Sequence, residues 1–407
     1  MRLNASRRRV TIDEEQFGFD IIAKALIFFV FARLAILLLM GVSSIATALY
    51  AGAHGFTALL ILGYMTQLLK KRISFRQFAI SFVCITLVTW TIIATWQNAG
   101  DGELIKTFTF ATFAGFAYSM EYVNLSRDTC KRYYKWVTIV SVLLVLSIIV
   151  PGNYSAGKLV LYAVNSNESG TIYMSLFINL FAGVIMYKRK PSNNFLMILL
   201  LIGVFYGCWC TGSRSAIIAC LVCLVLTLVF RAKPKYLPWI LTAAFILAIA
   251  FPIISSSFAD LLGQDFEILG ETVFTGRDII WGNVLEELRE TPLKMHFGEK
   301  VPTKGFAYYG KGLNSHNSIL EIMWRYSVPI GIVFLIMFYM LIRRLIAVVD
   351  AKKYAPIMAG FCAAIVHMSL EASLFVSALD YTLYFILPLF IAVSLSKKDI
   401  KESLNAE

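Results

Sequence analysis

Long apolar segments recur along the whole of this chain, and short polar connections separate them. The hydrocarbon core of a bilayer requires about 20 apolar residues per helical span, and helices are favoured because backbone groups inside lipid must pair within their own segment. Since 58% of the 407 residues are hydrophobic and 15% are charged, we predict an all-α, polytopic membrane helix bundle of about twelve transmembrane helices. The predicted spans lie near residues 21–40, 53–69, 78–96, 105–124, 137–150, 171–187, 195–211, 215–230, 237–256, 318–342, 355–370 and 381–396.

Basic residues are concentrated on every second connection between these segments. Roughly 25 of the 37 Lys and Arg residues fall on one side of such a bundle, and an excess of Lys and Arg marks cytoplasmic loops. We therefore predict a multi-pass protein with both termini in the cytoplasm. Membrane lipid is a sufficient partner for the net charge of +12, and no nucleic acid partner is predicted.

One polar connection, residues 257–317, is much longer than the others. We predict that it forms an external loop subdomain, because no other polar segment is large enough to do so. Within it, residues 277–290 have apolar side chains at helical spacing, and Pro292 ends the pattern. The helix would lay its apolar face on the membrane surface or on the bundle. The predicted divisions are a cytoplasmic N-terminal tail (1–20), spans one to nine (21–256), the external loop subdomain (257–317), spans ten to twelve (318–396) and a cytoplasmic tail (397–407).

Two arginines lie at helix mouths on the predicted external face. Arg214 is in the tight turn of residues 211–215 between the seventh and eighth spans, and Arg277 begins the amphipathic helix. Arg214 could instead be a snorkelling side chain with its guanidinium among lipid headgroups. Arg277 could be an ordinary solvent-exposed arginine.

A histidine and a third arginine lie near the start of the tenth span. His316 and Asn317 precede this span, and Arg325 follows two to three turns further along it. A lone histidine at an interface is often only a polar cap. An arginine within a span usually faces a polar cavity or a partner.

Together these side chains have the chemistry of glycosyl transfer from a lipid diphosphate. Guanidinium groups offer a planar, permanently charged fork that suits a pyrophosphate. A neutral histidine beside them would accept a proton from a hydroxyl group. The diphosphate needs charge neutralisation in order to leave, and the acceptor hydroxyl needs a base, for which His316 is the natural candidate.

Four short motifs support this interpretation, and their order and common side make the combination more specific than any one of them. Together they resemble the O-antigen ligase and O-antigen polymerase superfamily of bacterial envelope glycosyltransferases. The motifs span about residues 205–335, and the arrangement of spans with one large late loop extends the resemblance to the whole chain. The motifs are Thr211-Gly-Ser-Arg214-Ser, Thr275-Gly-Arg277-x-x-x-Trp281, Gly310-x-Gly312 and His316-Asn317-Ser-Ile-Leu320-Glu321.

The resemblance implies a metal-independent, inverting membrane glycosyltransferase of the GT-C-like class, with no cofactor. Its donor would be an undecaprenyl-diphosphate-linked glycan on the periplasmic or outer face of the bacterial inner membrane. By resemblance Arg214 and Arg277 would bind the diphosphate, His316 would activate the acceptor, and Asn317 would orient the histidine or the sugar. Arg325 as a further phosphate ligand is our own inference. Orientation of the sugar or the base is also predicted for Glu321, Ser213 and Tyr309.

The acceptor separates two activities that share this donor chemistry. A polymerase passes the glycan to the next lipid-linked repeat unit, and a ligase passes it to a sugar of the lipid A core. The Thr275-Gly-Arg277-x-x-x-Trp281 element favours an O-antigen or surface polysaccharide polymerase. Other polysaccharide-assembly proteins are possible partners.

Two other classes of protein fit the sequence less well. A transporter or lipid-linked oligosaccharide flippase would carry charged residues near the midplane of several spans, whereas the polar residues here gather at the external face. Metal-dependent transferases place acidic residues in the first external loop, and residues 41–55 contain no carboxylate. The remaining acidic candidates are Asp265, Glu267, Glu371 and Asp380, of which the last two are expected to orient sugars or pair with the arginines. The structural histidines are predicted to be His54, His296 and His367.

Overall fold

The part of the chain that a computed structural model describes is mostly helical. The structure describes residues 3–41, 43–53, 55, 125–161, 165–187, 191–262, 267–268, 271–272, 277–296, 315–372 and 379–404. The predicted spans at 78–96 and 105–124, and all but the start of the span at 53–69, lie outside these ranges.

Twelve helices and two short hairpins make up the described part of the chain. The helices are α1 (Leu3–Met40), α2 (Ser44–Ala53), α3 (Arg127–Ile148), α4 (Ser166–Met186), α5 (Pro191–Cys210), α6 (Arg214–Ala232), α7 (Leu237–Leu262), α8 (Arg277–Glu290), α9 (Ser318–Tyr326), α10 (Val328–Ile346), α11 (Ala355–Met368) and α12 (Leu379–Leu404). The antiparallel hairpins pair β1 (Tyr154–Ser155) with β2 (Lys158–Leu159), and β3 (Glu267–Ile268) with β4 (Glu271–Thr272). Single 3₁₀ turns occur at Pro151–Asn153 and Pro234–Tyr236.

Six of the described helices are long and apolar enough to cross a bilayer, so the predicted all-α membrane protein is confirmed at that level. These six segments are Asp20–Met40, Ser166–Met186, Pro191–Cys210, Arg214–Ala232, Pro234–Ser257 and Val328–Ile346. A total of about twelve spans stays a prediction.

Helix α1 runs without a break from Leu3 into the first span, and the cytoplasmic tail predicted for residues 1–20 stays a prediction. The tenth span predicted at 318–342 is divided at Ser327, whose φ is +81°. Pro329 explains the division, since its ring has no N–H for the carbonyl of Arg325 but suits the first turn of a new helix.

Helix α11 lies at the centre of the bundle and is buried along almost its whole length. It packs most extensively against α6 and also contacts α4, α7 and α12. The close approach depends on Gly360, where an added Cβ would lie 2.2 Å from Cγ2 of Ile178 on α4. Small residues permit such approaches between membrane helices. Outward-facing apolar side chains such as Trp209, Val225 and Ile246 give the bundle a lipid-compatible surface.

Helices α4 and α11 run in opposite directions and define two ends of the bundle. At one end, here called the site end, α4 begins and α11 finishes. At the other, here called the basic end, α4 finishes, α11 begins, and Lys398 of α12 donates to the carbonyl of Leu125 before α3. Several of the Lys and Arg residues from which we predicted the cytoplasmic side lie at the basic end, among them Lys131, Lys353 and Lys398.

The predicted amphipathic helix at 277–290 is confirmed as α8. Its apolar face packs on α7 and α9, so of the two predicted positions the helix adopts the one on the bundle. The ring of Trp281 lies edge-on to that of Phe251, with centroids 5.6 Å apart. The buried residues of this small core are Ile280, Trp281, Val284, Leu288, Leu320 and Trp324. This core joins α8 to the short helix α9. It therefore fixes the positions of Arg277, at the start of α8, and of His316, just before α9.

Candidate functional site

Three side chains from three separate segments meet at the site end. The guanidinium of Arg277 donates from Nη2 to Oε1 of Glu371, and Nδ1 of His316 lies 3.1 Å from Oε2 of the same carboxylate. Glu371 is 8% exposed, whereas Arg277 and His316 are 22% and 21% exposed. These three residues are here called the polar cluster. In it, the carboxylate of Glu371 is shared by the cationic side chain of Arg277 and the imidazole of His316, which are both partly accessible.

Helix α8 places Arg277 because the helix is held against the segment that carries His316. The indole N–H of Trp281, one turn after Arg277, donates to the backbone carbonyl of Ser315 at 2.7 Å. The spacing of arginine and tryptophan in the Thr275-Gly-Arg277-x-x-x-Trp281 motif therefore explains two contacts at the site. Its tryptophan binds the loop before His316, and its arginine reaches the same carboxylate as the histidine.

The backbone at His316 adopts the left-handed conformation, with φ of +48°. This conformation is uncommon for a residue with a side chain and is found where the surroundings enforce it. Asn317 supplies part of that constraint, because its Oδ1 accepts from the N–H groups of Ile319 and Leu320 at 2.9 Å. Its Nδ2 donates to the carbonyl of Ser369 at 2.8 Å. Asn317 thus caps α9 and ties the histidine segment to the chain that carries Glu371.

Glu321 and Arg325 support the same turn from within α9. Nε of Arg325 donates to Oε1 of Glu321 at 2.6 Å, and the other oxygen of Glu321 accepts from the N–H of Ser315 at 2.7 Å. Burial opposes ionisation of Glu321, but the charge of Arg325 and the Ser315 hydrogen bonds outweigh it and lower the pKa of the carboxyl group. These contacts give Arg325 a structural part, and its predicted phosphate contact stays a prediction.

Glu371 is ionised despite its burial. Burial alone would raise the pKa of its carboxyl group, but the hydrogen bond to His316 and the positive charge of Arg277 together lower that pKa. The hydroxyl of Ser318 donates to the Glu371 backbone carbonyl at 3.1 Å. Glu371 is therefore held through hydrogen bonds to its backbone as well as to its side chain.

Two helices that the sequence did not connect with the site complete its surroundings. Glu168, in the first turn of α4, is near enough for its charge to act on Glu371 and His316. Oγ1 of Thr171 lies 3.0 Å from Nε2 of His367, whose carbonyl accepts from the N–H of Glu371. His367 therefore lies next to the polar cluster, and the structural role predicted for it stays a prediction.

The turn of residues 211–215 packs on this region through its serines. Ser213 is buried, its Oγ lies 3.3 Å from that of Ser215, and the backbone of Ser215 interacts with His367. An added Cβ at Gly170 would lie 2.4 Å from Cβ of Ser213, so α4 and the turn are in close contact. Arg214 begins α6 with an exposed side chain between these two buried serines. The turn is thus brought to the site end, as predicted, whereas an Arg214 contact with a diphosphate stays a prediction.

The carboxylate determines which nitrogen of His316 is available for chemistry. An ionised carboxylate is an acceptor only, so the Glu371 contact favours the tautomer with hydrogen on Nδ1. Nε2 then carries the lone pair and is the atom that would accept a proton. The arrangement of base and orienting carboxylate is the one that hydroxyl activation requires.

The other predicted residues have different outcomes. Tyr309, Asp265 and His54 lie outside the described residues. Only the backbone positions of Glu267 and Asp380 are described. His296 stacks on Trp324 with centroids 3.7 Å apart, and its structural role stays a prediction. Within the described ranges, no group of three or more His, Cys, Asp or Glu side chains is placed to hold a metal ion; metal independence stays a prediction.

Glu371 is the central residue that the motifs did not contain. Its expected pairing with an arginine is confirmed, but its contact with His316 was not predicted. The available signal was an acidic residue at the non-basic end of a predicted span, where few charges occur. Glu168 gave the same signal at the start of α4. Comparison with models of protein families and with curated proteins finds no match to this chain.

Proposed function

We propose that this protein is a membrane glycosyltransferase that transfers a glycan from undecaprenyl diphosphate to an acceptor sugar hydroxyl. The observation that carries the proposal is the polar cluster, in which Glu371 joins His316 to Arg277. The cluster combines a positioned base with a cation for the leaving group. Those are the two requirements of transfer from a lipid diphosphate.

In the proposed reaction, Nε2 of His316 accepts the proton of the acceptor hydroxyl as its oxygen attacks the anomeric carbon. The bond between that carbon and the diphosphate oxygen breaks, and the diphosphate leaves with the bonding electron pair. Arg277 neutralises the charge that develops on it. Attack from the face opposite the leaving group inverts the anomeric configuration.

The guanidinium of Arg277 can serve both Glu371 and a diphosphate. It has five N–H donors, the side chain is 22% exposed, and the contact with Glu371 is made through Nη2. Arg214, exposed at the first turn of α6, would approach the diphosphate from the neighbouring turn. The N-terminus of α6 adds a favourable partial charge for an anion there.

The proposal also sets the location and class of the enzyme. The protein would lie in the bacterial cytoplasmic membrane as a GT-C-like transferase of about twelve spans, with both termini in the cytoplasm. The polar cluster would face the periplasm or the outside, because it lies at the end of the bundle opposite the basic clusters. The preferred activity is polysaccharide polymerisation, and ligation to a lipid A core is the alternative that uses the same cluster.

The deciding experiment incubates the purified protein with a defined undecaprenyl-diphosphate repeat unit, with and without a lipid A core acceptor. A ladder of products on the carrier lipid identifies a polymerase, and label only on the core identifies a ligase. His316→Ala should abolish both products while the variant keeps its elution volume and thermal unfolding. Turnover by this variant would remove the proposed base.

Two further measurements separate the other classes. Product formation should survive EDTA, and a loss that a divalent ion restores would indicate a metal-dependent transferase. Movement of lipid-linked glycan across sealed vesicles, without new glycosidic bonds and unchanged in His316→Ala, would identify a flippase instead.

A further inference from the structure

A concave basic surface lies on α3 at the basic end, far from the polar cluster. The cavity has a volume of about 520 Å³. Its described lining residues recur at helical spacing and therefore occupy one face of α3. They are Asp128, Lys131, Arg132, Lys135, Trp136 and Ile139, and this surface is here called the basic groove.

The charge of the basic groove is positive, with three cations against one carboxylate. Asp128 is engaged by Nε of Arg132 at 2.8 Å and by Nζ of Lys24 at 3.7 Å. Lys131 and Lys135 are exposed. In the part of the chain that the structure describes, Lys131 has no carboxylate within ion-pair distance.

The same face of α3 becomes apolar further along the helix, toward its C-terminus. Ile139, Val142 and Leu146 follow at helical spacing and are 41%, 44% and 52% exposed. Trp136 lies at the border between the charged and the apolar parts, as aromatic residues do at membrane interfaces. One helix face therefore presents a cationic end and an apolar track in the order of a lipid's headgroup and chains.

A second cavity adjoins the basic groove at Lys131. It has a volume of about 400 Å³ and adds Arg127 and Lys353 to the cationic surroundings, with Tyr187 and Tyr354 among its walls. Lys353 is paired there with Asp399 at 2.7 Å. Lys131 thus lies between two concave surfaces, both of which carry further basic residues.

We propose that the basic groove binds an anionic membrane phospholipid. Its phosphate would lie among Lys131, Arg132 and Lys135, and an acyl chain would follow Ile139, Val142 and Leu146. The occupant is a lipid because a soluble phosphate compound would leave the apolar track unused. The inference does not depend on the proposed glycosyl transfer, since it concerns the opposite end of the bundle.

The experiment measures lipid bound to the purified full-length protein. Protein in neutral detergent is mixed with equal amounts of phosphatidylglycerol and phosphatidylcholine with identical acyl chains, and the lipid retained after gel filtration is measured by mass spectrometry. The test variant combines Lys131→Gln, Arg132→Gln and Lys135→Gln. The matched control combines Arg231→Gln, Lys233→Gln and Lys235→Gln, which removes the same charge from exposed positions at the same end.

We expect the wild-type protein to retain phosphatidylglycerol over phosphatidylcholine by about tenfold or more, because several basic side chains act together. The test variant should lose most of this preference, and the control should keep it within about twofold. The charge-preserving variant Lys131→Arg with Lys135→Arg should retain it, which separates lost binding from lost folding.

Three results would overturn the proposal. Equal retention of both lipids by the wild-type protein would show no anionic site. An equal loss in the test and control variants would show a diffuse charge effect. Displacement of the lipid by excess soluble glycerol 3-phosphate would identify a site for a water-soluble phosphate ester.

Discussion

Nδ1 of His316 lies 3.1 Å from Oε2 of Glu371, although the two residues are 55 positions apart. The contact joins the segment before α9 to the segment after α11. Neither residue is held by this contact alone, because Asn317 binds the carbonyl of Ser369 and Ser318 binds that of Glu371. The position of the imidazole is therefore a property of the folded bundle, and each of its supports can be tested separately.

Glu371→Gln should reduce glycan transfer by about 100-fold or more, because an amide can present its nitrogen to Nδ1 and disfavour the tautomer that leaves Nε2 free. Transfer is measured on the defined lipid-linked repeat unit. Glu290→Gln, at the exposed end of α8, makes the same change of charge and should be silent. Normal turnover by Glu371→Gln would show that the carboxylate does not position the base.

Arg277→Lys should lower transfer by about tenfold or more, since an ammonium group cannot bind a carboxylate and a phosphate with the forked geometry of guanidinium. The matched control is Arg289→Lys, an exposed arginine on the same helix. Steady-state rates at several donor concentrations give the measurement. Equal rates for both lysine variants would mean that Arg277 contributes only charge.

The Glu321–Arg325 pair should behave as a structural unit. Arg325→Met alone leaves a buried carboxylate without its cation and should cost about 3–5 kcal/mol of stability. Adding Glu321→Leu should recover part of that loss, as followed by thermal unfolding in detergent. A double variant that is as stable as the single one would contradict this account, and a specific loss of donor affinity in a stable variant would favour the phosphate role predicted for Arg325.

Acid should remove the contribution of Glu371 to stability in a defined pH range. Its pKa in the folded protein is lowered from the ordinary value of 4.5, so its ionic contacts stabilise the fold above that value and are lost as pH falls through the folded pKa. The difference in melting temperature between wild type and Glu371→Gln should therefore shrink as pH falls below 4.5. A difference that grows with acidity would have the wrong sign.

Gly170→Ala should disturb the site end, because the new Cβ would lie 2.4 Å from Cβ of Ser213. We expect a loss of about 1–3 kcal/mol from overpacking. Gly282→Ala on α8 is the matched control, since nothing lies within 4 Å of its added Cβ and alanine favours a helix. Unfolding of the two variants in the same detergent makes the comparison, and equal stability would show that α4 and the turn do not approach so closely.

The length of the apolar segments was sufficient to predict α4 to α7, and helical periodicity was sufficient to predict α8, because both signals are local in sequence. The division at Ser327 was missed, since an average over apolar residues 318–342 does not register one backbone torsion angle. Pro329 was the signal, because proline is favoured in the first turn of a helix and not in its interior.

The site was predicted only as far as its residues lie in recognisable motifs. The Glu321–Arg325 ion pair could have been inferred from its spacing of four residues on a helix. The contacts of Glu371 could not, because its partners are 94 and 55 positions away. Which of several carboxylates meets which arginine is decided by the packing of α8, α9 and α11, and a single sequence does not encode that packing in any local pattern.

A single carboxylate shared by Arg277 and His316 makes their equilibria linked functions. If an anion bound at Arg277 changes the free energy of protonation of His316, that protonation changes the free energy of anion binding by the same amount. Under the proposed function, donor binding at Arg277 and protonation of His316 would therefore share one coupling free energy, which can be measured from either side.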